Sequence, residues 1–416
     1  MKCSKRILVL PLAVVSMIFL TCHKPLPVPG PVNLLVPLNQ MVVRQKAVEF
    51  QWQKVDDAIG YNIQIDKKTN FSHPIINDST ITDTSFTAEL MDGNYYWRAR
   101  GLSKDSAWGE WSETWAFQIE RYRIVSQTKT HGYAHDVFVD DPYAYIADGQ
   151  AGLTILNVEE PQEPVMVANI MDRANEAWGV IVEDDYAFVA YGRRPLWIVD
   201  VSEIDSLRVV GQLGYMEPAY GKDICVRLQD SLVYIAALSQ FIIVDITDLR
   251  FPILFHQPRF PANVRGVAMI DSFAVIACEQ LGIYIFVVRR DSLKTISWFD
   301  TPGNTRDVFV QDSFAYLADG SEGLVVVNIS DKRNPELVST VDLPGYACKI
   351  CIVNNLLYVA LGDSGLGIID ITNPNEPKID AVVKTPYAYS VFALKNEIYV
   401  ATGKDGLTIV AKEEGK

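Results

Sequence analysis

Seven times between residues 121 and 416 the chain returns to one short pattern. The stretch RDVFVQDSFAYLADGSEGLVVVNISDKRNPELVSTV, Arg306 to Val341, lines up with HDVFVDDPYAYIADGQAGLTILNVEEPQEPVMVANI, His135 to Ile170. Shorter echoes read WGVIVEDDYAFVAYG, KDICVRLQDSLVYIAAL, RGVAMIDSFAVIACE, KICIVNNLLYVALG and SVFALKNEIYVATG. The first apolar core residues of the units are Val137, Val180, Ile224, Val267, Val308, Ile350 and Val391, 41 to 44 residues apart. A fixed period constrains a fold strongly. Each unit must be one supersecondary element that buries its faces on copies of itself.

Each unit holds four short apolar runs separated by Gly, Asp, Asn and Pro. In the fifth unit they predict strands at 307–310, 314–318, 324–329 and 336–341. Four strands per repeat of about 42 residues is the pattern of a propeller blade. Seven units predict a seven-bladed β-propeller over residues 121–416. The last unit stops at GLTIVAKEEGK, without a fourth run, while RYRIVSQTKT precedes the first unit and resembles the fourth runs PVMVANI and PELVSTV. The strand at 123–127 is therefore expected to complete the last blade and remove an exposed edge.

The third runs read LTILNV, LWIVDV, FIIVDI, LVVVNI and LGIIDI, and the fourth unit departs with IYIFVV. These runs resemble the LVIVD repeat of secreted bacterial and archaeal propellers. The resemblance implies the propeller fold and little about chemistry.

Residues 32–120 read differently. AVEFQWQKVDDAIGYNIQID predicts two alternating strands around a turn, with Trp52, Tyr61, Ile63 and Ile65 facing one core. About seven short strands in this span predict a β-sandwich. The order Trp52, Tyr61, Phe71, Tyr95-Tyr96-Trp97-Arg98, Trp108-Gly109 and Trp111-Ser112 resembles a fibronectin type III domain. That resemblance implies a spacer or adhesion module. The expected class is all-β: a fibronectin type III-like sandwich followed by a seven-bladed propeller.

The N-terminus carries Lys2, Lys5 and Arg6 ahead of an apolar run of 14 residues, Ile7 to Leu20. The run is too short for a comfortable membrane span and fits a signal peptide over residues 1–21. IFLTC, Ile18 to Cys22, resembles a bacterial lipoprotein signal, with Phe19 and Thr21 departing from its usual residues. That resemblance implies lipidation of Cys22, a Pro-rich tether over residues 22–31, and a bacterial envelope location at the outer membrane or cell surface. An ordinary secretory signal is the other reading. The net charge of -14 and the absence of a basic run argue against nucleic acid as a partner. Membrane contact is expected through the anchor alone. Cys225, Cys278, Cys348 and Cys351 lack zinc-ligand spacing and read as small core or strand residues.

In a propeller, the approaches to the first strands and the turns between second and third strands share one face. Two residues before each first core residue stand His135, Trp178, Lys222, Arg265, Arg306, Cys348 and Tyr389. Two positions earlier stand Tyr133, Glu176, Tyr220, Asn263, Asn304, Tyr346 and Tyr387. His135, Lys222, Arg265, Arg306, Tyr133, Tyr220, Tyr346 and Tyr387 are the candidate ligand-binding residues at the channel mouth. Arg offers bidentate bonds to a carboxylate and Tyr offers flat apolar faces. The competing expectation is that each cation pairs with Asp136, Asp223 or Asp307 of a neighbouring blade. The turn acids Asp148, Glu279, Asp319, Asp363 and Asp405 fit local turn amides better than a metal, since no D-x-D-x-D-G loop occurs.

His131 and His135 approach a strand, not a helix, so their spacing does not point to a metal. No H-E-x-x-H, G-x-S-x-G or Gly-rich phosphate loop occurs, and no cofactor is implied. Gly362-Asp363-Ser364-Gly365 resembles a serine-protease nucleophile loop, but it aligns with the repeat turn ADGSEG and lacks triad partners. The sequence therefore reads as a non-catalytic envelope lipoprotein binding a protein or glycan, anionic in character. The rival readings are a purely structural scaffold and a polysaccharide lyase or hydrolase, the latter using Arg265, Arg306, His135 and Tyr220.

Overall fold

The computed structural model describes residues 28–172, 175–216, 221–290 and 292–413. The signal segment, Cys22 and Tyr220 lie outside the described residues. The chain separates into two compact units. One holds the residues up to Met41 with Glu49–Ala88 and Tyr95–Phe117; the other holds Val42–Val48, Glu89–Asn94 and everything from Gln118. No α-helix occurs among the described residues, which form strands and two 3-10 turns.

The strands of the first segment form a three-stranded and a five-stranded sheet. Phe50, Trp52, Tyr61, Ile63, Ile65 and Trp97 are buried at their centre. Phe50 meets Trp97 edge to face at 5.1 Å, and Trp52 meets Tyr61 at 5.4 Å. Beside this core, the Arg98 guanidinium lies over Phe71 and Trp111, and Arg100 lies over Trp108 and Trp111. The two cations thus interleave with the Trp pair that carries the domain resemblance.

From Tyr122 onward the described strands form seven small antiparallel sheets, numbered 1 to 7 here in chain order. In sheet 5 the strands are Asp307–Gln311, Phe314–Ala318, Leu324–Asn328 and Glu336–Val341, paired in sequence order. The second and third strands are buried almost throughout because sheets cover both faces. The fourth strands, such as Val165–Ile170, alternate exposed and half-buried residues because they lie at the outer edge. In sheet 7, Leu407–Lys412 pairs with Tyr122–Thr128, which supplies its fourth strand.

Apolar clusters fill the space between consecutive sheets. One joins Tyr145 and Leu153 of sheet 1 to Val180 and Val189 of sheet 2. Another joins Val137 and Ile146 of sheet 1 to Tyr399 and Ile409 of sheet 7, so the order of sheets is cyclic. The first strands face inward, and all seven line one axial cavity of about 290 Å³.

Sheet 3 departs from the expected four runs. A single strand, Leu232–Asp245, replaces the second and third strands, and an added strand, Arg259–Val264, pairs with it. The sequence there reads AALSQ, without the glycine that the corresponding turn carries in the other sheets, and Leu238 takes the left-handed backbone at φ 45°. No helix among the described residues is long and apolar enough to cross a membrane.

Candidate functional site

The repeat turns build the site. The turn between second and third strands of one sheet bridges to the approach of the next sheet's first strand, as in Gly149 with Ala177, Gly320 with Ala347 and Gly362 with Ala388. Ala134 with Gly403 makes the same link from sheet 7 to sheet 1. These turns require left-handed backbone, which Gly adopts freely: Gly320 has φ 63° and Gly362 φ 56°. The tyrosines lie against these glycines. A Cβ at Gly320 would meet the Tyr346 ring at 3.0 Å, and one at Gly362 would meet Tyr387 at 3.2 Å. Tyr133 covers Gly403 in the same way. The recurring Tyr therefore has a packing role on its inner face, while Tyr133, Tyr346 and Tyr387 each stay over a third exposed on the other.

His135, Trp178, Lys222, Arg265, Arg306, Cys348 and Tyr389, one from each sheet, line a single cavity of about 170 Å³ together with Tyr346 and Tyr387. Tyr133 lies beside it in a wider cavity of about 990 Å³, which shares His135, Trp178, Arg306 and Tyr389. Of the eight residues proposed from sequence, six line the small cavity, Tyr133 lines the adjoining one, and Tyr220 is outside the described residues. The ring has two sides. Sheets 3, 4 and 5 contribute Lys222, Arg265 and Arg306. The sheets on either side contribute Tyr346, Tyr387, Tyr389, His135 and Trp178.

The aromatic side is continuous. Tyr387 and Tyr389 rings are 4.4 Å apart, Tyr389 and Tyr133 are 5.3 Å apart, and the last two share a hydroxyl hydrogen bond. His135 stacks on Trp178 at 3.8 Å. Burial, with Lys222 nearby, holds the His135 imidazolium down to about 4, so the ring is neutral at pH 7.

On the cationic side, Arg265 Nε donates to Glu279 Oε1 at 2.6 Å, and Arg306 Nη1 lies 3.4 Å from the same oxygen. Asn263 donates to Glu279 Oε2 at 3.0 Å. Two guanidinium groups thus share one carboxylate. Lys222 Nζ lies over the Trp178 ring. Among the described residues no carboxylate reaches ion-pair distance of it. Burial and the Arg265 and Arg306 charges, opposed by Glu176, lower its ammonium to about 7.

The expected pairing of these cations with Asp136, Asp223 and Asp307 does not occur. Those acids lie one residue further along each first strand and are buried. Asp136 accepts a hydrogen bond from Val180 N at 3.0 Å, Asp223 from Val267 N at 3.1 Å, and Asp307 from Ile350 N at 2.9 Å. Each bond ties one sheet to the next. Lys349 of sheet 6 ion-pairs with Asp223 of sheet 3, and lies 3.7 Å from Asp307. Ser390 donates to Asp136 at 2.5 Å. At the same height Gly179 and Gly266 leave room; a Cβ at Gly266 would meet Asp307 Oδ1 at 2.6 Å. Burial works against the Lys349 charge, but Asp223, Asp307 and Asp136 outweigh it and hold the ammonium above its usual range. Burial pushes the Asp136 carboxyl up, and pushes Asp307 up to about 7.

This charged layer separates the polar mouth from the apolar channel below. Sequence reasoning passed over Lys349, although it occupies the position where other units carry Asp, Gly or Ser. Of the turn acids expected to serve local turn amides, Asp148 and Asp319 do so, whereas the Glu279 carboxylate is drawn to Arg265 and to Arg306 of the next sheet. Asp148 accepts from Thr130, Gly132 and Thr154, and Asp319 accepts from Thr301, Gly303 and Thr305. Ser364 sits in a repeat turn and donates its hydroxyl to Pro344 O. The four cysteines are free, and Cys348 both packs against an apolar cluster and lines the mouth. No cluster of three metal-ligating side chains occurs among the described residues.

Four segments, residues 131–172, 174–213, 302–343 and 344–385, match the LVIVD repeat. Among solved structures, the chain is similar to the WD40 β-propeller domain of Doa1, with TM-score 0.55, 14% identity, and coverage of 70% of this chain and 97% of that one. It is also similar to the computationally designed Ika8 protein, with TM-score 0.52, 10% identity, and coverage of 90% of this chain and 100% of that one. No curated relative matches the chain. The chain is a repeat protein of the β-propeller fold that carries LVIVD repeats.

Proposed function

We propose that this is a non-catalytic, lipid-anchored envelope protein whose seven-bladed propeller, closed by the strand Tyr122–Thr128, binds an anionic partner at its channel mouth. A fibronectin type III-like sandwich spaces the propeller from the lipid on Cys22. One observation carries the binding reading. Lys222, Arg265 and Arg306 come from three consecutive sheets to one cavity; Glu279 is the carboxylate that both arginines share, while Lys349 at the cavity floor is taken up by Asp223 and Asp307. In a chain of net charge -14 such a local excess of cations favours an anion. Charge-assisted bonds from guanidinium to carboxylate or sulfate are strong and directional.

The test compares the full chain with the Arg265→Ala/Arg306→Ala double variant on a glycan array and in pull-downs with defined acidic partners. Loss of the bound signal supports the reading. Unchanged binding removes the mouth from consideration. Radiolabelled palmitate incorporation that disappears in Cys22→Ala supports the anchor, and incorporation that persists overturns it.

A further inference from the structure

The mouth is not uniformly cationic, and its asymmetry specifies more than charge. The cations come from sheets 3, 4 and 5, and the next two sheets supply Tyr346, Tyr387 and Tyr389, with the Arg306 guanidinium 5.8 Å from the Tyr346 ring where the two arcs meet. The enclosed space is about 170 Å³, enough for one small ring-shaped group. It continues through His135, Trp178, Arg306 and Tyr389 into the wider shelf of about 990 Å³. A ligand that fits presents a flat, C–H-rich face to tyrosines and a carboxylate to the other side, and extends outward as a chain.

Resting on the anion-binding reading, we infer that the site takes the uronic-acid end of an acidic glycan, with its carboxylate toward Lys222, Arg265 and Arg306 and its sugar ring against Tyr387 and Tyr389. A pyranose combines both faces in one rigid unit. Its carboxylate adds to the Arg265 and Arg306 hydrogen bonds that one Glu279 cannot use up. Tyr rings supply the apolar stacking face and hydroxyl partners.

An acidic peptide fits less well. Peptides add to a site through free backbone groups of a strand edge or through separate side-chain pockets. The shelf backbone is already engaged: Gly149 N bonds to Ala177 O, Ala177 N returns to Gly149 O, and Tyr133 N bonds to Asp148 O. No strand edge is offered there.

The experiment titrates the full chain calorimetrically with three defined probes: trigalacturonate, neutral trigalactose and hexaglutamate. Trigalacturonate is expected to bind at least tenfold more tightly than either of the others. Lys222→Met, which breaks no ion pair among the described residues, is expected to weaken trigalacturonate at least threefold, and Arg265→Ala/Arg306→Ala at least tenfold, with folding checked by circular dichroism. Equal binding of trigalactose overturns the role of the cations. Hexaglutamate binding as tightly as trigalacturonate, and displacing it, overturns the glycan assignment and leaves the anion-binding reading standing. Failure of all three probes overturns both.

Discussion

Replacing Lys349 by Met is the sharpest perturbation available inside the ring. The substitution keeps the length and apolar stem of the side chain and removes the one cation in the buried layer of Asp136, Asp223 and Asp307. Each acid keeps its backbone hydrogen bond, so the sheets stay tied in pairs. What is lost is the charge that balances three buried carboxylates. Breaking a buried pair by removing one partner costs about 3–5 kcal/mol. For a unit of about 300 residues that corresponds to a fall in Tm of roughly 5–8 °C. The loss depends on pH with a definite sign. Burial already raises Asp136, and raises Asp307 to about 7, above the unfolded carboxylate value. The folded state therefore holds more protons than the unfolded state between about pH 4 and pH 7, and stability falls as pH rises through that window. Without Lys349 these acids rise further and the window extends upward. Denaturant melts at pH 5 and pH 8 are expected to show a smaller loss at pH 5. A variant within about 1 kcal/mol of wild type at both values would refute the charge-layer account.

Other outcomes follow from the same geometry. Lys222, lowered to about 7 by burial and by Arg265 and Arg306 against the pull of Glu176, with neutral His135 beside it, loses its proton as pH rises through neutrality. Trigalacturonate affinity is expected to drop severalfold from pH 6 to pH 8 in wild type and to stay flat in Lys222→Met; calorimetric titration at both values decides it. Gly320→Ala puts a Cβ on a left-handed residue and 3.0 Å from the Tyr346 ring, which is expected to cost about 1–2 kcal/mol in a denaturant melt. In the first unit, Arg98→Ala removes a guanidinium 4.1 Å from the Phe71 ring and 4.4 Å from Trp111. It is expected to cost roughly 1–2 kcal/mol, read from the thermal unfolding of the full chain.

The repeat made the strand positions legible because each unit places the same apolar residues at the same height of the same sheet. The fifth unit illustrates this, with all four strands falling where alternation and Asp-Gly turns located them. Sheet 3 was less legible because its turn is carried by Leu238, a residue that gives no turn signal in sequence. The mouth residues were legible for the same reason as the strands. A repeat brings one residue per sheet to each level of the channel, so a column of the alignment is a ring in space. Partners were not legible. The sequence offered Asp136, Asp223 and Asp307 to the cations of neighbouring blades, but these acids sit one residue deeper than the mouth ring, where consecutive strand residues point to different sides, and bind backbone N–H groups of the next sheet. Glu279 in a turn, and Lys349 from the far side of the ring, were needed to see where the charges go. The tyrosines show a similar limit: their seats on Gly320, Gly362 and Gly403 depend on turns from the neighbouring sheet.

The central claim is that the cationic side of the mouth receives a carboxylate. A crystal structure of the full chain soaked with trigalacturonate tests it most directly. The account predicts a sugar carboxylate within about 3 Å of Arg265 or Arg306, hydrogen-bonded to the guanidinium, with the ring over Tyr387 or Tyr389. Trigalacturonate bound elsewhere, with the mouth vacant and Glu279 still the sole partner of both arginines, would contradict it.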